Sequence, residues 1–111
     1  MYKIITSDLV LEIITLLEEG KFKNEDIAAR FQIEFGKTFA EIAIKLANEN
    51  GVKKIGLTGG VAYNYFFSKA IKEKVLHSGL IFLEHDIVPP GDAGISTGQL
   101  IGGLFKYYTQ D

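Results

Sequence analysis

The sequence predicts an α/β fold made of four helices and a short pair of parallel strands. Apolar residues recur at helical spacing in four segments, and two short apolar runs flank the third of them. A Gly-Gly pair follows the first run and a Pro-Pro-Gly sequence follows the second. Two strands joined by a helix form a βαβ unit, in which the strands are parallel and the crossover is right-handed.

Length and composition limit the classes of protein that the chain can belong to. Its 111 residues, 47% of them hydrophobic, can bury one core, so we expect a single domain over residues 1–111. A net charge of −2 without a basic stripe gives no support for a nucleic-acid partner. The lack of cysteine excludes disulfides and thiol chemistry. Without a membrane-length apolar run or a signal sequence, we expect a cytoplasmic protein with no membrane partner.

The first helix is predicted over residues 9–17. Ser7 or Asp8 can cap its start, because a short side-chain oxygen accepts an N–H of the first turn, and Gly20 ends it. Its apolar residues cover more than half of the circumference. This helix is therefore expected to be buried on two sides or to pack on a partner.

A second, longer helix is predicted from an N-cap at Asn24 to Gly51. An apolar stripe at helical spacing defines it: Ile27, Phe31, Phe35, Phe39, Ile42 and Leu46. Gly36 interrupts the helix at a cost of about 1 kcal/mol relative to Ala. Either a close approach by another backbone or simple tolerance explains that glycine. Gln32 lies on the polar side and is expected to face solvent.

The βαβ unit follows, with strands predicted at residues 52–58 and 80–83 and a third helix between them that Gly79 terminates. A fourth helix is predicted over residues 93–107. Three glycines recur in it at a four-residue period, on one face: Gly94, Gly98 and Gly102. Such a smooth face suits a closely packed helix or a bound nucleotide, and the pattern leaves both open.

Candidate binding residues lie at the two turns. Gly59 and Gly60 give the chain a sharp turn without a Cβ, just before a helix N-terminus whose free N–H groups attract phosphate. A tight connection with no ligand is the equal alternative. Asn64 either caps the third helix or contacts a ligand.

Asp92 is the carboxylate of most interest, because it follows the Pro-Pro-Gly turn after the second strand. Ligands of parallel α/β sheets bind beyond the carboxyl ends of the strands, so the glycine pair and Asp92 are expected to lie close together. A carboxylate there suits Mg²⁺ or another hard cation, although Asp is also a preferred helix cap. His77 and His85 lack metal-ligand spacing and are expected to be structural or to face solvent.

Three segments together resemble a known family. They are Ala-Ala-Arg-Phe-Gln at 28–32, Leu-Thr-Gly-Gly-Val-Ala-Tyr-Asn at 57–64, and Val-Pro-Pro-Gly-Asp-Ala-Gly-Ile-Ser-Thr-Gly-Gln at 88–99. From about residue 8 to 106, the chain is similar to the C-terminal end of the HypF family, the [NiFe]-hydrogenase maturation carbamoyltransferases. Wider relatives are the TsaD-like tRNA threonylcarbamoyladenosine enzymes and the O-carbamoyltransferases. The resemblance implies the second lobe of an actin-like ATPase (ribonuclease H-like) fold.

The resemblance also implies roles for particular residues. Gly59, Gly60 and Asn64 would belong to the pocket for ATP or carbamoyl-adenylate, and Asp92 would help to hold a divalent metal, which is Mg, Fe or Zn. Such enzymes use ATP and carbamoyl phosphate to form carbamoyl-adenylate. They then carbamoylate the C-terminal cysteine thiol of a HypE-type partner.

Some features depart from the family pattern. The H-x-x-x-H metal motif is absent, Gln32 stands where the family usually has His, Gly91 replaces Asn, and Ala93 replaces Gly. We therefore expect half of a site, inactive alone and completed by a first lobe or a second copy of the chain. The alternatives are a non-catalytic nucleotide-binding or protein-interaction module and a TsaD-like enzyme fragment.

Overall fold

A computed structural model describes residues 2–109, so both ends of the predicted 1–111 domain lie outside the described residues. The elements in chain order are α1 (Thr6–Glu19), α2 (Asn24–Glu49), β1 (Lys54–Gly56), a 3₁₀ helix (Gly60–Tyr63), α3 (Tyr65–His77), β2 (Ile81–Leu83) and α4 (Asp92–Tyr108). This arrangement confirms the predicted α/β class, with four helices and a short parallel strand pair. In the part of the chain that the structure covers, no helix has both the length and the apolar content to cross a membrane.

The two strands pair in parallel and are shorter than the apolar runs suggested. Ile55 pairs with Phe82 at the centre of the ladder, and both are half-buried, whereas their neighbours along each strand are exposed. The Ile81 N–H donates to the Lys53 carbonyl over 2.9 Å, as expected where Ile81 pairs with Lys54 in a parallel ladder. The sheet therefore directs one side chain from each strand into the core.

The core lies where α2, α3 and the sheet meet. It consists of six buried residues: Ala40, Ala47, Phe67, Ile71, Val75 and Leu80. A Cβ added to Gly36 would lie 2.8 Å from the Phe67 carbonyl oxygen and 3.2 Å from the Ala70 Cβ. The interruption in α2 is therefore explained by a close approach of the α3 backbone.

Helix α1 packs on α2 with one face only. Leu9, Ile13 and Leu16 are half-buried against α2, while four other apolar residues stay exposed, namely Val10, Leu11, Ile14 and Leu17. Burial on two sides is therefore not achieved among the described residues. The predicted cap is also wrong: Ile5 holds the N-cap position, without a side-chain hydrogen bond, because the helix begins earlier than its apolar pattern. Gly20 does end the helix, in a left-handed conformation with φ of +62°.

Helix α4 makes its contact with the rest of the fold through its first turn. A Cβ on Gly94 would lie 2.5 Å from the Pro89 carbonyl oxygen, so only glycine allows the helix to start against that turn. Further along, a Cβ at Gly98 or Gly102 would meet nothing within 4 Å in residues 2–109. The chain is accordingly elongated, with principal extents of 67 × 31 × 24 Å.

Candidate functional site

The two turns predicted to carry the site are joined by hydrogen bonds. The Gly59 N–H donates to the Pro90 carbonyl over 2.7 Å, and the Thr58 hydroxyl donates to the same oxygen over 3.3 Å. Both turns follow the carboxyl ends of the paired strands, where ligands of parallel sheets bind. The expectation that they lie close together is confirmed.

Backbone geometry explains the glycine pair. Gly59 has φ of +95° and ψ of 174°, a region that is strained for residues with a Cβ. Its carbonyl accepts from the Ala62 N–H over 3.0 Å, which starts the 3₁₀ helix. Added Cβ atoms at Gly59 and Gly60 would meet no described atom within 4 Å. The turn therefore leaves bare backbone open to a ligand at a helix start.

Asn64 caps α3, as one of its two predicted roles required. Its Oδ1 accepts from the Phe67 N–H over 3.0 Å, and its Nδ2 donates to Gln32 Oε1 over 2.9 Å. The expectation that Gln32 faces solvent is therefore wrong, because its side chain is half-buried between α2 and α3. Gln32 stands four residues before Gly36 and eight before Ala40, so it continues the row of α2 that faces α3. This four-residue spacing from Gly36 and Ala40 is the feature of the sequence that could have predicted the contact of Gln32 with α3.

Asp92 is the first residue of α4, and Gly91 occupies the N-cap position. The predicted capping role of Asp92 is therefore wrong. Its side chain is exposed and forms no hydrogen bond or ion pair with another described residue. An acid in the first turn is favoured by the helix dipole, and it remains available to a cation. The close contact of Gly94 with Pro89 holds this carboxylate next to the turn that Gly59 binds.

The donor set around Asp92 discriminates between metals. Among residues 2–109, no three His, Cys, Asp or Glu side chains lie together as a metal-binding group. Zn²⁺ sites require three or four protein ligands, whereas Mg²⁺ is commonly held by one or two carboxylates with water and phosphate oxygens. Asp92 alone therefore fits Mg²⁺ better than Zn²⁺.

The two histidines are engaged by nearby carbonyl groups. His85 Nδ1 lies 2.8 Å from the Val88 carbonyl oxygen, and His77 Nδ1 lies 2.6 Å from that of Glu73. Each ring is therefore tied to its own segment of chain, as a structural role requires.

A small cavity adjoins the turns, and a larger groove lies along α2 and α3. A cavity of about 190 Å³ lies between the turns and β2, with Tyr63, Phe82 and Pro90 in its wall. A groove of about 850 Å³ follows α2 and α3. Ile33 and Tyr65, the neighbours of Gln32 and Asn64 in the chain, line one end of it. The groove falls in the size range of small-molecule sites, but most of its length leads away from the glycine turn.

Comparison with known proteins gives a consistent result. Residues 1–99 match the family model described as "Carbamoyltransferase, Kae1-like Domain, second subdomain". A probable carbamoyltransferase HypF of Methanocaldococcus jannaschii is 36% identical over 101 residues, which are 91% of this chain and 13% of the relative. A tRNA N6-adenosine threonylcarbamoyltransferase of Caldicellulosiruptor saccharolyticus is 46% identical over 43 residues, which are 39% of the chain and 13% of that protein.

Similarity extends to three dimensions. The crystal structure of HypF from T. kodakarensis superposes with a TM-score of 0.77 at 36% identity, over 94% of this chain and 14% of that one. The chain thus spans about one-seventh of the length of the HypF proteins that it matches.

Proposed function

The chain belongs to the HypF carbamoyltransferase family, as the second subdomain of its Kae1-like domain, and from this we propose that it forms one wall of the family's nucleotide site. In the complete enzyme, carbamoyl phosphate would be hydrolysed to carbamate, which attacks ATP and releases pyrophosphate to give carbamoyl-adenylate. The C-terminal cysteine thiolate of a HypE-type acceptor would then attack the carbamoyl carbon, with AMP as leaving group. This reaction would serve [NiFe]-hydrogenase maturation in the cytoplasm.

The observation that carries the proposal is the hydrogen bond between Gly59 and Pro90. It joins a turn with bare backbone, the start of α3 and the Asp92 carboxylate at one edge of the sheet. Backbone N–H groups at a helix start suit phosphate, and a carboxylate suits its counter-cation. Either group alone is common in proteins, and their juxtaposition is what favours a nucleotide–metal site.

The charge of the two turns indicates what a bound cation would have to supply. Residues 57–64 and 88–99 contain no Lys or Arg, so neither turn offers a cationic side chain to a triphosphate. Gly59 and Gly60 would bind phosphate oxygens through the backbone, and Asn64 would contact the nucleotide. A Mg²⁺ ion beside Asp92 would supply the positive charge that this wall lacks.

One wall is not a complete site. The turns lie on the surface, and the chain corresponds to a small part of its HypF relatives. We therefore propose that a first lobe, or a second copy of the chain, closes the cleft. By itself the chain should bind nucleotide weakly and should transfer no carbamoyl group.

A titration tests the nucleotide–metal site. We expect ATP to bind the wild-type chain more tightly with Mg²⁺ than with EDTA, and Asp92→Ala to remove that difference. Asp86→Ala is the matched control, because Asp86 is an exposed acid in the loop between β2 and α4. Equal Mg²⁺-dependent affinity in the wild type and in Asp92→Ala would exclude Asp92 from the site.

A non-catalytic interaction module is the second candidate. It is favoured by the apolar residues that α1 and α4 leave exposed, such as Leu11 and Phe105 at 61% and 71% exposure. A monodisperse dimer in size-exclusion chromatography with light scattering, without nucleotide affinity, would support it. A TsaD-like enzyme acting on tRNA is less favoured, because that relative matches 39% of the chain and the HypF relative matches 91%.

A further inference from the structure

The amide groups of Gln32 and Asn64 form a chain of hydrogen bonds whose direction is fixed. The Phe67 N–H can only donate, so the Asn64 atom that faces it is the oxygen. The Asn64 nitrogen is therefore turned towards Gln32, 2.9 Å away, and Gln32 must present its own oxygen to accept. The backbone of α3 thus determines how both amides are oriented.

This direction engages both amide oxygens and leaves amide N–H groups without a partner among the described residues. The Nε2 group of Gln32 and the second N–H of Asn64 remain, and neither is hydrogen-bonded to another described residue. In residues 2–109, no buried side-chain polar atom lacks a partner, so the Gln32 Nε2 group reaches solvent. Each amide oxygen already accepts one hydrogen bond, so the N–H groups are the wholly unengaged groups that the two amides offer to a ligand.

These donors adjoin the candidate nucleotide wall. Asn64 follows directly after the 3₁₀ helix that begins at Gly60, and its N–H donates to the Val61 carbonyl over 2.9 Å. At a rise of about 2 Å per residue in a 3₁₀ helix, Gly60 and Asn64 are roughly 8 Å apart, which is within the length of a nucleotide. Gln32 is attached to this wall from α2, across the close contact that α2 makes with α3 at Gly36.

We propose that Gln32 is a positioning and specificity residue of the nucleotide site. Its Oε1 holds the Asn64 amide in one orientation, and its Nε2 donates to an acceptor oxygen or ring nitrogen of the nucleotide. The assignment rests on the nucleotide site proposed above. It predicts that the wall favours an acceptor group of the nucleotide at this point.

Two substitutions separate this role from a structural one. Gln32→Glu keeps an oxygen for Asn64 but replaces the outer donor with an acceptor. Gln32→His, as a neutral imidazole, accepts from Asn64 with one nitrogen and donates outwards with the other, so it keeps the direction. Gln99→Glu makes the same charge change on the exposed side of α4 and controls for repulsion of the phosphates.

The experiment is a MgATP titration of the whole chain followed by ¹H–¹⁵N NMR at the Gly59 and Gly60 amides. We expect Gln32→Glu to weaken binding by about tenfold or more, and Gln32→His and Gln99→Glu to stay within about threefold of wild type. Hydrogen exchange of the Phe67 N–H should stay as slow in Gln32→Glu as in the wild type, because the cap is retained.

Each contrary result has a distinct meaning. Wild-type affinity in Gln32→Glu, or an equal loss in Gln99→Glu, would overturn the role of Gln32 and leave the nucleotide site standing. Fast exchange at Phe67 in Gln32→Glu would assign the residue to structure alone. No shift at Gly59 or Gly60 in the wild type would overturn the nucleotide site, and the Gln32 assignment with it.

Discussion

Gly36 in α2 and Gly98 in α4 interrupt long helices in the same way, yet their surroundings are opposite. The Gly36 Cα faces the α3 backbone, with the Phe67 carbonyl 2.8 Å from where a Cβ would be. A Cβ added to Gly98 would meet no described atom within 4 Å. A glycine inside a helix costs about 1 kcal/mol, and of these two glycines Gly36 alone recovers that cost through a close contact with described residues.

The difference extends to the helices as wholes. Helix α3 buries four residues, Phe67, Ala70, Ile71 and Val75, whereas α4 has no buried residue in the described part of the chain. Both helices are rich in apolar residues. An apolar pattern therefore indicates that a face needs a partner, without indicating that the partner belongs to the same chain.

The largest expected difference between α3 and α4 is in the response to removal of an aromatic ring. Phe67 is 7% exposed and contacts the rings of Phe35 and Phe39, with centroids 6.1 and 5.9 Å away. Phe67→Ala should lower the free energy of unfolding by about 3–5 kcal/mol through the cavity that it leaves. Phe105→Ala, at a position 71% exposed, should change it by less than about 0.5 kcal/mol. Urea unfolding of both variants measures the contrast, and equal losses would show that α4 packs in solution.

The two interrupting glycines should respond to alanine with opposite signs. Gly36→Ala places a methyl group against a backbone carbonyl that cannot easily move, so we expect a net loss of about 1–3 kcal/mol. Gly98→Ala enters open space and should stabilise the chain by about 0.5–1 kcal/mol through helix propensity. Thermal unfolding by circular dichroism measures both. Destabilisation by Gly98→Ala would mean that something approaches α4 closely in solution.

The starts of α3 and α4 also differ, since Asn64 caps α3 and Gly91 offers α4 no side-chain cap. Asn64→Ala removes the bond to Phe67 and the bond to Gln32, so we expect a loss of about 1–2 kcal/mol. Asn64→Asp keeps a capping oxygen and should lose less. Chemical denaturation ranks the two variants. A loss in Asn64→Asp as large as in Asn64→Ala would contradict the capping role.

Much of the fold could be predicted from the helical spacing of apolar residues and from the glycines that end helices. The long stripe of α2 and the glycines that end α1 and α3 carry their own local signals, because spacing and left-handed turns are properties of short segments. The strands were predicted too long, since β-pairing depends on neighbours that a segment does not contain. The predicted caps of α1, α2 and α4 are wrong, because each helix begins early enough to include the polar residue that the local rule selects. Ile5, Lys23 and Gly91 hold the N-cap positions, and Asn24 is the first residue of α2 and not its cap.

The candidate site also has one part that could be predicted from the sequence and one part that could not. The nearness of the Gly59 and Pro90 turns followed from sheet topology, which places successive carboxyl ends at one edge. The bond from Gln32 to Asn64 joins residues 32 positions apart, and it depends on how closely α2 and α3 approach at Gly36. That approach is a property of packing, which a single sequence does not display.

The smallest expected effect separates ion pairing from packing at the α2–α3 contact. Glu41 on α2 is paired with Lys74 on α3, and the hydrogen bond and charge of Lys74 hold the pKa of the Glu41 carboxyl below its usual range. Because the folded pKa is the lower one, the pair stabilises the chain above the ordinary carboxyl pKa. That contribution is lost as the pH falls through the folded value. Both side chains are more than a third exposed to solvent, so we expect this contribution to be at most about 0.5 kcal/mol.

Between about pH 5 and pH 3 the free energy of unfolding should therefore fall less in Glu41→Gln than in the wild type. We expect the difference to be no more than about 0.5 kcal/mol. Glu18→Gln, an exposed change on α1, should leave the fall as it is in the wild type. Denaturation midpoints at a series of pH values decide the matter. A loss above about 1 kcal/mol in Glu41→Gln at neutral pH would mean that the ion pair contributes more to the α2–α3 contact than an exposed pair ordinarily does.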